Sequence, residues 1–416
     1  MKTYLVGGAV RDKLLGKEPH DKDYVVVGST IDEMLSLGFI QVGKDFPVFI
    51  HPETGEEYAL ARTERKIGDK HTDFSFEFSS NVTLEMDLLR RDFTINSIAM
   101  DIETGEIIDY FNGLQDIENK ILRAVRPETF VEDPLRVLRG CRFAAQLDFE
   151  IAHETMELMK KMVEDGMINH LTAERVWKET EKALSEGYNS KRYFEVLNEC
   201  GALKVLMPEV YSLVNTPEQV KYHPSGNTFK HTMIALNRVR NKDSITKWAV
   251  VCHDLGKGNT PENILPKHND HDKRGIDLIE SLCKRLKTPT MYKDFAKTFC
   301  KNHMRMAKFL DMSIKKQYDM VKELSNNFKD INLLNKYCNC FYADYMGEEK
   351  LTDYNNPAIA IGIIELMQKY YKIMENVSLK DLPKEVQDSL SHFKGEKFGK
   401  LYREAMINYL RKELNE

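Results

Sequence analysis

The spacing of apolar positions changes about a third of the way along the chain. Before residue 130 they fall in short runs: Tyr4–Val6, Tyr24–Val27, Val48–His51, Tyr58–Ala61, Ile95–Met100 and Ile107–Tyr110. Runs of this length, rich in β-branched and aromatic residues, predict strands. Glu53-Thr54-Gly55 and Glu103-Thr104-Gly105 lie in two of the connections, where a glycine at positive φ predicts a hairpin turn. From about residue 133 the spacing becomes helical, over Leu135–Leu147, Ile151–Glu164, Ala173–Leu184 and Tyr193–Leu203. The expected fold is therefore α+β, a small mixed-sheet head followed by helices. Pro208, Pro217 and Pro224 cluster where a boundary is expected. The organisation predicted is a head over 1–140, a helical neck over 141–215, a third region over 216–345 and a helical tail over 346–416. No internal repeat stands out.

Composition narrows this picture. A chain of 416 residues exceeds one ordinary core, so two to four domains are expected. With 42% hydrophobic and 30% charged residues it reads as soluble and globular, and its apolar runs fall short of a membrane span. Met1–Gly7 is apolar too briefly for a secretory signal. The seven cysteines lack framework spacing, and Cys338-Asn339-Cys340 is not a C-x-x-C pair. Reduced, buried thiols and a cytoplasmic protein are expected. A net charge of −5 excludes blanket attraction to nucleic acid. Residues 280–330 nevertheless hold twelve Lys/Arg against six Asp/Glu, with Tyr292, Phe295, Phe299, Phe309 and Tyr318 among them. This reads first as a solvated helical face over a buried stripe, and second as a local, salt-sensitive RNA-facing patch.

The head carries the densest chemistry. Gly7-Gly8-Ala9-Val10-Arg11-Asp12 precedes Asp21-Lys22-Asp23, which runs into Tyr24–Val27. Side chains at i and i+2 of a strand share a face, so Asp21 and Asp23 can share a divalent cation. Glycines without Cβ atoms let backbone N–H groups approach a phosphate. Nucleotidyl transfer needs a deprotonated 3′-hydroxyl, a polarised α-phosphate and a neutralised pyrophosphate, which two carboxylate-held metal ions can provide. Glu57 is the candidate third carboxylate; an exposed hairpin glutamate beside Glu56 is the equal alternative. Arg11, one helical turn past the glycines, is placed to clamp a phosphate.

Two further segments follow. Arg90-Arg91-Asp92-Phe93-Thr94-Ile95-Asn96 joins paired arginines to an apolar run and an asparagine. In Glu132-Asp133-Pro134-Leu135-Arg136-Val137-Leu138-Arg139, Pro134 suits a first helical position with Asp133 as its cap. A capped helix with a basic face accounts for that pattern structurally. Base chemistry offers a second reading: cytosine and adenine both present an amino donor beside a ring-nitrogen acceptor. One aspartate and one arginine suit both, and reject uracil and guanine. Asp133 and Arg136, three apart on a helix, are that candidate pair.

Taken in order, these four motifs resemble the class II CCA-adding enzymes, the tRNA nucleotidyltransferases. The likeness covers residues 1 to about 210, including Glu57–Arg65 and Arg175-Val176-Trp177-Lys178-Glu179. It implies a polymerase-β-like head, Mg²⁺ on Asp21 and Asp23, and CTP or ATP held by Gly8, Arg11, Arg91, Arg136 and Arg139, with tRNA as partner. Ser97 stands where the family usually has alanine, and Arg65–Lys70 resembles its flexible loop.

The middle of the chain is rich in histidine: six of twelve, His223, His231, His253, His268, His271 and His303, fall within 81 residues. His253-Asp254 ends an apolar run and opens His253-Asp254-Leu255-Gly256-Lys257. A carboxylate beside a buried run needs a partner, and a metal ion is one. The string resembles the HD phosphohydrolases, which would make His231, His253, Asp254 and a distal aspartate, best matched by Asp344, metal ligands. His268 and His271 are candidates for a second metal or a substrate phosphate; His223 reads as structural. The whole combination resembles the multifunctional CCA family of bacteria. That implies CCA synthesis beside phosphodiesterase, 2′-nucleotidase and phosphatase activity supported by Ni²⁺ or another divalent transition metal, in a monomer or homodimer. The alternatives are a poly(A) polymerase, which would take ATP alone, and an HD hydrolase whose head senses nucleotide. Alarmone synthetase-hydrolases pair such domains in the opposite order, and a purely structural RNA-binding role explains none of the metal-ligand pattern.

Overall fold

The strand-like runs form one seven-stranded sheet. The computed structural model describes every residue except 20, 43–47, 67–73, 78–79, 240–242, 328, 350–354 and 415–416, and of 64–66 and 74–77 the backbone alone. In chain order the strands are β1 Lys2–Val6, β2 Asp23–Val27, β3 Ile40–Val42, β4 Val48–Ile50, β5 Glu57–Leu60, β6 Thr63–Lys66, β7 Phe74–Glu77, β8 Ile98–Asp101 and β9 Ile107–Asp109. The sheet order is β3-β4-β5-β2-β1-β8-β9, with β6 and β7 as a separate ribbon. β2 and β5 run parallel, whereas β1 is antiparallel to both β2 and β8.

Period-two alternation sorts the side chains. Tyr4 and Val6 pack with Val25, Leu84, Leu88 and Ala99 on one face, while Leu5 packs with Ala9, Val10 and Ile98 on the other. Helix Leu84–Leu89 thus covers one side of β1 and helix Gly8–Leu14 the other. Both expected hairpins form, β4 to β5 around Gly55 and β8 to β9 around Gly105. The expected strand Ile95–Met100 is shorter. Thr94–Asn96 make a 3-10 turn and β8 starts at Ile98, because Thr94 Oγ1 bonds Asp116 at 2.7 Å and Asn96 Nδ2 bonds Asp92 at 3.0 Å. These side-chain bonds compete with an extended backbone.

The helices beyond the sheet follow the expected pattern. Leu135–Leu147 buries Val137, Leu138, Cys141, Ala144 and Ala145 along one stripe, packed by Ala173–Ser185 and Ser190–Glu199. The expected helix Tyr193–Leu203 is two helices, Ser190–Glu199 and Ala202–Leu206, separated at Gly201.

The chain forms two compact units, Met1–Leu206 and Met207–Glu416. Head and most of the neck lie in the first; residues 207–215, grouped above with the neck, fold with the second. The second unit is helical among its described residues. Helices Thr228–Arg238, Ser244–Cys252, His271–Leu286, Thr290–Met306 and Ile331–Tyr345 surround its polar centre. Asn227, Asp243 and Asp330 cap three of them through side-chain oxygens. Tyr292, Phe295, Phe299, Phe309 and Tyr318 are all buried, so the basic stretch over 280–330 is a solvated face over an apolar stripe. All seven cysteines are free and buried. No helix among the described residues is long and apolar enough to cross a membrane.

Candidate functional site

Parallel pairing of β2 and β5 sets Asp23 directly beside Glu57 in register, so their side chains leave the same face of the sheet. Asp21 precedes Asp23 by two residues, and all three carboxylates are exposed. Desolvation raises the Asp23 pKa; Asp21 adds to the rise and Arg91 opposes it. Mutually repelling carboxylates that feel one guanidinium fit a cation site. Gly7 closes β1 at φ 70°, and a Cβ there would come within 2.9 Å of Arg91 Nη1. The positive φ calls for glycine here, and the Arg91 guanidinium lies against it. Asp87, fully buried, steadies Arg91 through Oδ2 at 3.2 Å. Gly8 opens the following helix.

A hydrogen-bonded chain links the remaining motifs. Arg11 Nη1 donates to Asn96 Oδ1 at 2.7 Å, Asn96 Nδ2 to Asp92 Oδ1 at 3.0 Å, and Arg139 Nε to Asp92 Oδ2 at 2.7 Å. Burial would push the Asp92 carboxyl up, yet Arg139, Asn96 and Arg136 hold it well below the usual range. Arg11, Arg139 and Arg142 also gather around the Phe143 ring, 5.2, 5.3 and 4.1 Å from its centroid. Arg11 is buried, with two nitrogens on Asp12. It is thus a strut of this chain as well as a candidate phosphate contact.

Asp133 and Arg136 are each engaged by other groups. Asp133 accepts the Leu135 N–H at 3.0 Å and pairs with Arg175 at 3.2 Å. Arg136 donates to the carbonyls of Thr129 and Arg90, both at 2.6 Å. The helix begins at Leu135, one residue later than the expected Pro134. Arg175 belonged to a recognised motif, but its partnership with Asp133 spans 42 positions and left no local signal. Most of the Arg65–Lys70 loop lies outside the described residues.

The second unit brings its histidines together. His253 Nε2 lies 3.1 Å from Asp254 Oδ2 and 3.2 Å from Asp344 Oδ1, and His231 Nε2 lies 3.0 Å from Asp344 Oδ1. On the other side of the same carboxylate, Asp254 Oδ1 is 3.3 Å from His271 Nε2 and 3.6 Å from His303 Nε2. The two rings meet Nε2 to Nε2 at 3.0 Å. Among the described residues, His231, His253 and Asp254 form one group able to hold a metal ion, Asp254, His271 and His303 a second, and His223, His231 and Glu348 a third. His253 Nε2 and both Asp254 oxygens are buried without a well-aligned hydrogen bond, although Lys257 lies against Oδ2. Buried polar atoms in close contact yet lacking well-aligned hydrogen bonds fit divalent cations.

Neighbouring charges act strongly on these rings. Burial would lower His231, but the Asp344 and Glu348 carboxylates raise it to about 9. Burial and the neighbouring His253 lower His303 to about 4. Lys257 Nζ sits 2.9 Å from Asp254 Oδ2 and 2.8 Å from Glu218 Oε1. His268 is held elsewhere, by Thr260 and the carbonyl of Pro217, both at 2.8 Å. His303, counted in the histidine cluster but given no role there, joins the group instead. His223 bonds Glu348, a residue the sequence did not single out.

The poly(A) polymerase head domain family matches residues 3–123. A second family, the probable RNA- and SrmB-binding site of polymerase A, matches residues 148–213. The multifunctional CCA protein of Mannheimia succiniciproducens is 52% identical over 323 residues, 75% of this chain and 76% of its own. That of Acinetobacter baumannii is 44% identical over 394 residues, 93% of each chain. Solved CCA-adding enzymes share the fold. One in complex with ATP has a TM-score of 0.64 at 21% identity, covering 97% of this chain and 85% of that one. The Thermotoga maritima enzyme complexed with tRNA also has a TM-score of 0.64 at 21% identity, covering 98% and 87%.

Proposed function

The chain belongs to the multifunctional CCA protein family, and from that membership we infer that it adds and repairs the 3′-terminal CCA of tRNA, using CTP and ATP without a nucleic-acid template. The observation that carries this reading is Asp23, in register with Glu57 and repelled by Asp21, within the field of Arg91. Mg²⁺ held by Asp21 and Asp23 would supply the charge that activates the RNA 3′-hydroxyl and neutralises departing pyrophosphate. Glu57 adds a third carboxylate to that face. Arg91, held by Asp87, sets positive charge where the triphosphate would lie, with Gly8, Arg11 and Arg139 completing the nucleotide contacts. Base choice falls to Asp133 and Arg136. Arg175 pairs with the aspartate, and two carbonyls hold the guanidinium in place.

For the second unit we propose a metal-dependent phosphohydrolase acting as 2′,3′-cyclic phosphodiesterase, 2′-nucleotidase and phosphatase. His231, His253, Asp254 and Asp344 would hold one ion, and Asp254 with His271 and His303 a second. Nitrogen and carboxylate donors suit Ni²⁺ or another divalent transition metal, which would lower the pKa of a bound water for attack on a phosphate ester. Lys257 holds Asp254 by charge and supplies a cation at its edge.

The test supplies tRNA lacking its terminal trinucleotide with each labelled nucleotide separately. CMP incorporation is expected first, then AMP only on the C-extended product, with UTP and GTP refused. Repeated AMP incorporation from ATP alone would replace this reading with a poly(A) polymerase.

A further inference from the structure

Four histidine rings meet around Asp254 and Asp344, and three are fixed alike. Nδ1 of His253, His271 and His303 lies 2.7 Å from the carbonyl of Val250, His268 and Cys300, in each case three residues earlier. A carbonyl only accepts, so each Nδ1 carries its proton and each Nε2 is left to face the carboxylates. His231 differs. Its Nδ1 faces Glu348 Oε1 at 3.3 Å and its Nε2 faces Asp344 Oδ1 at 3.0 Å. Asp344 and Glu348, four positions apart across the end of helix Ile331–Tyr345, grip one imidazole from opposite sides.

Glu348 is buried, 3% exposed. Its Oε1 also meets His223 Nδ1 and Ser225 Oγ, each at 3.2 Å, and its Oε2 accepts the Ser225 N–H at 2.9 Å. A carboxylate offers about four acceptor positions. Four protein donors meet it, three at Oε1 and one at Oε2, two of them from Ser225, whereas the Asp254 oxygens face imidazole nitrogens and the Lys257 ammonium. We propose that Glu348 is a positioning residue of the metal centre. It holds the proton of His231 on Nδ1 and aims Nε2 at the cation, the task that a backbone carbonyl performs for its three neighbours. A carboxylate behind a metal-binding imidazole fixes its tautomer and raises its basicity. Through His223 and Ser225, the same carboxylate fastens the segment bridged at Pro217 and Asn227 to His231. The inference rests on the phosphohydrolase reading.

The test uses the full chain, stripped by chelator and titrated with Ni²⁺, then with Co²⁺, whose visible bands report ligand geometry. Glu348→Ala should weaken uptake ~10–100-fold and shift the Co²⁺ bands. Glu348→Gln, which keeps one oxygen for His231, should recover the band positions with only part of the affinity. CMP incorporation by the head should stay unchanged in both variants. Wild-type affinity and bands in Glu348→Ala would overturn the proposal. Should that variant fail to fold, wild-type affinity in Glu348→Gln would do the same. Failure of the unaltered chain to take up either ion would instead overturn the phosphohydrolase reading beneath it.

Discussion

Asp92 is buried and meets the Phe93 N–H, Asn96 Nδ2 and two nitrogens of Arg139. Bonds between a carboxylate and a guanidinium contribute about 1.5–3 kcal/mol each when buried. Asp92→Asn should therefore cost about 2–3 kcal/mol of stability in the first unit and raise the KM for nucleotide by loosening Arg139. The sign with pH follows from the depressed carboxyl. Its contribution is in place above the ordinary carboxylate value near pH 4 and is lost as acid protonates it. Urea melts of wild type and variant should thus converge as pH falls, and parallel curves down to low pH would contradict the assignment. Asp254 is as deeply buried, yet its oxygens face three imidazole nitrogens and one ammonium rather than a backbone N–H and a guanidinium, which sets it apart from the strut at Asp92. Residue type announced both positions. The distinction lay in partners distant along the chain, and so did the roles of Glu348 and Arg175.

Local elements were the more legible part. Alternation gave β1, β2, β4 and β5 nearly to the residue, and both Glu-Thr-Gly connections became hairpins. Elements with weak apolar patterns went unseen: β3 is exposed at all three positions. The turn Leu255–Lys257, just after the His-Asp pair, shows how one contact between elements sets a site. A Cβ on Gly256 would fall 2.0 Å from the His271 carbonyl oxygen and 2.7 Å from Gly275 N. Backbone on both sides leaves no room, and this close approach carries Asp254 to His271. Gly256→Ala should destabilise the second unit by about 1–3 kcal/mol, as overpacking does, and weaken divalent-ion uptake. Calorimetry checks it; a variant melting like wild type would show that the helices shift apart freely.

At the scale of the molecule, the two sets of chemistry lie in separate compact units, the nucleotide motifs before Leu206 and the histidine cluster after Met207. Asp21→Ala with Asp23→Ala should abolish CMP and AMP incorporation and leave hydrolysis of a 2′,3′-cyclic phosphate intact. His253→Ala with Asp254→Ala should do the reverse. Joint loss in either double variant would refute independent sites. The amino-acid sequence by itself determined the α+β class, the strand and helix periods, the order of motifs and the identity of most polar groups, because these follow from spacing within a few turns of chain. Only tertiary structure decided that Glu57 stands beside Asp23, that Asp133 turns to Arg175, that His303 replaces His268 in the cluster, and that Glu348 backs His231. Each depends on which distant segment fills the space next to a buried charge, and desolvation makes that choice costly to get wrong while leaving no mark on neighbouring residues.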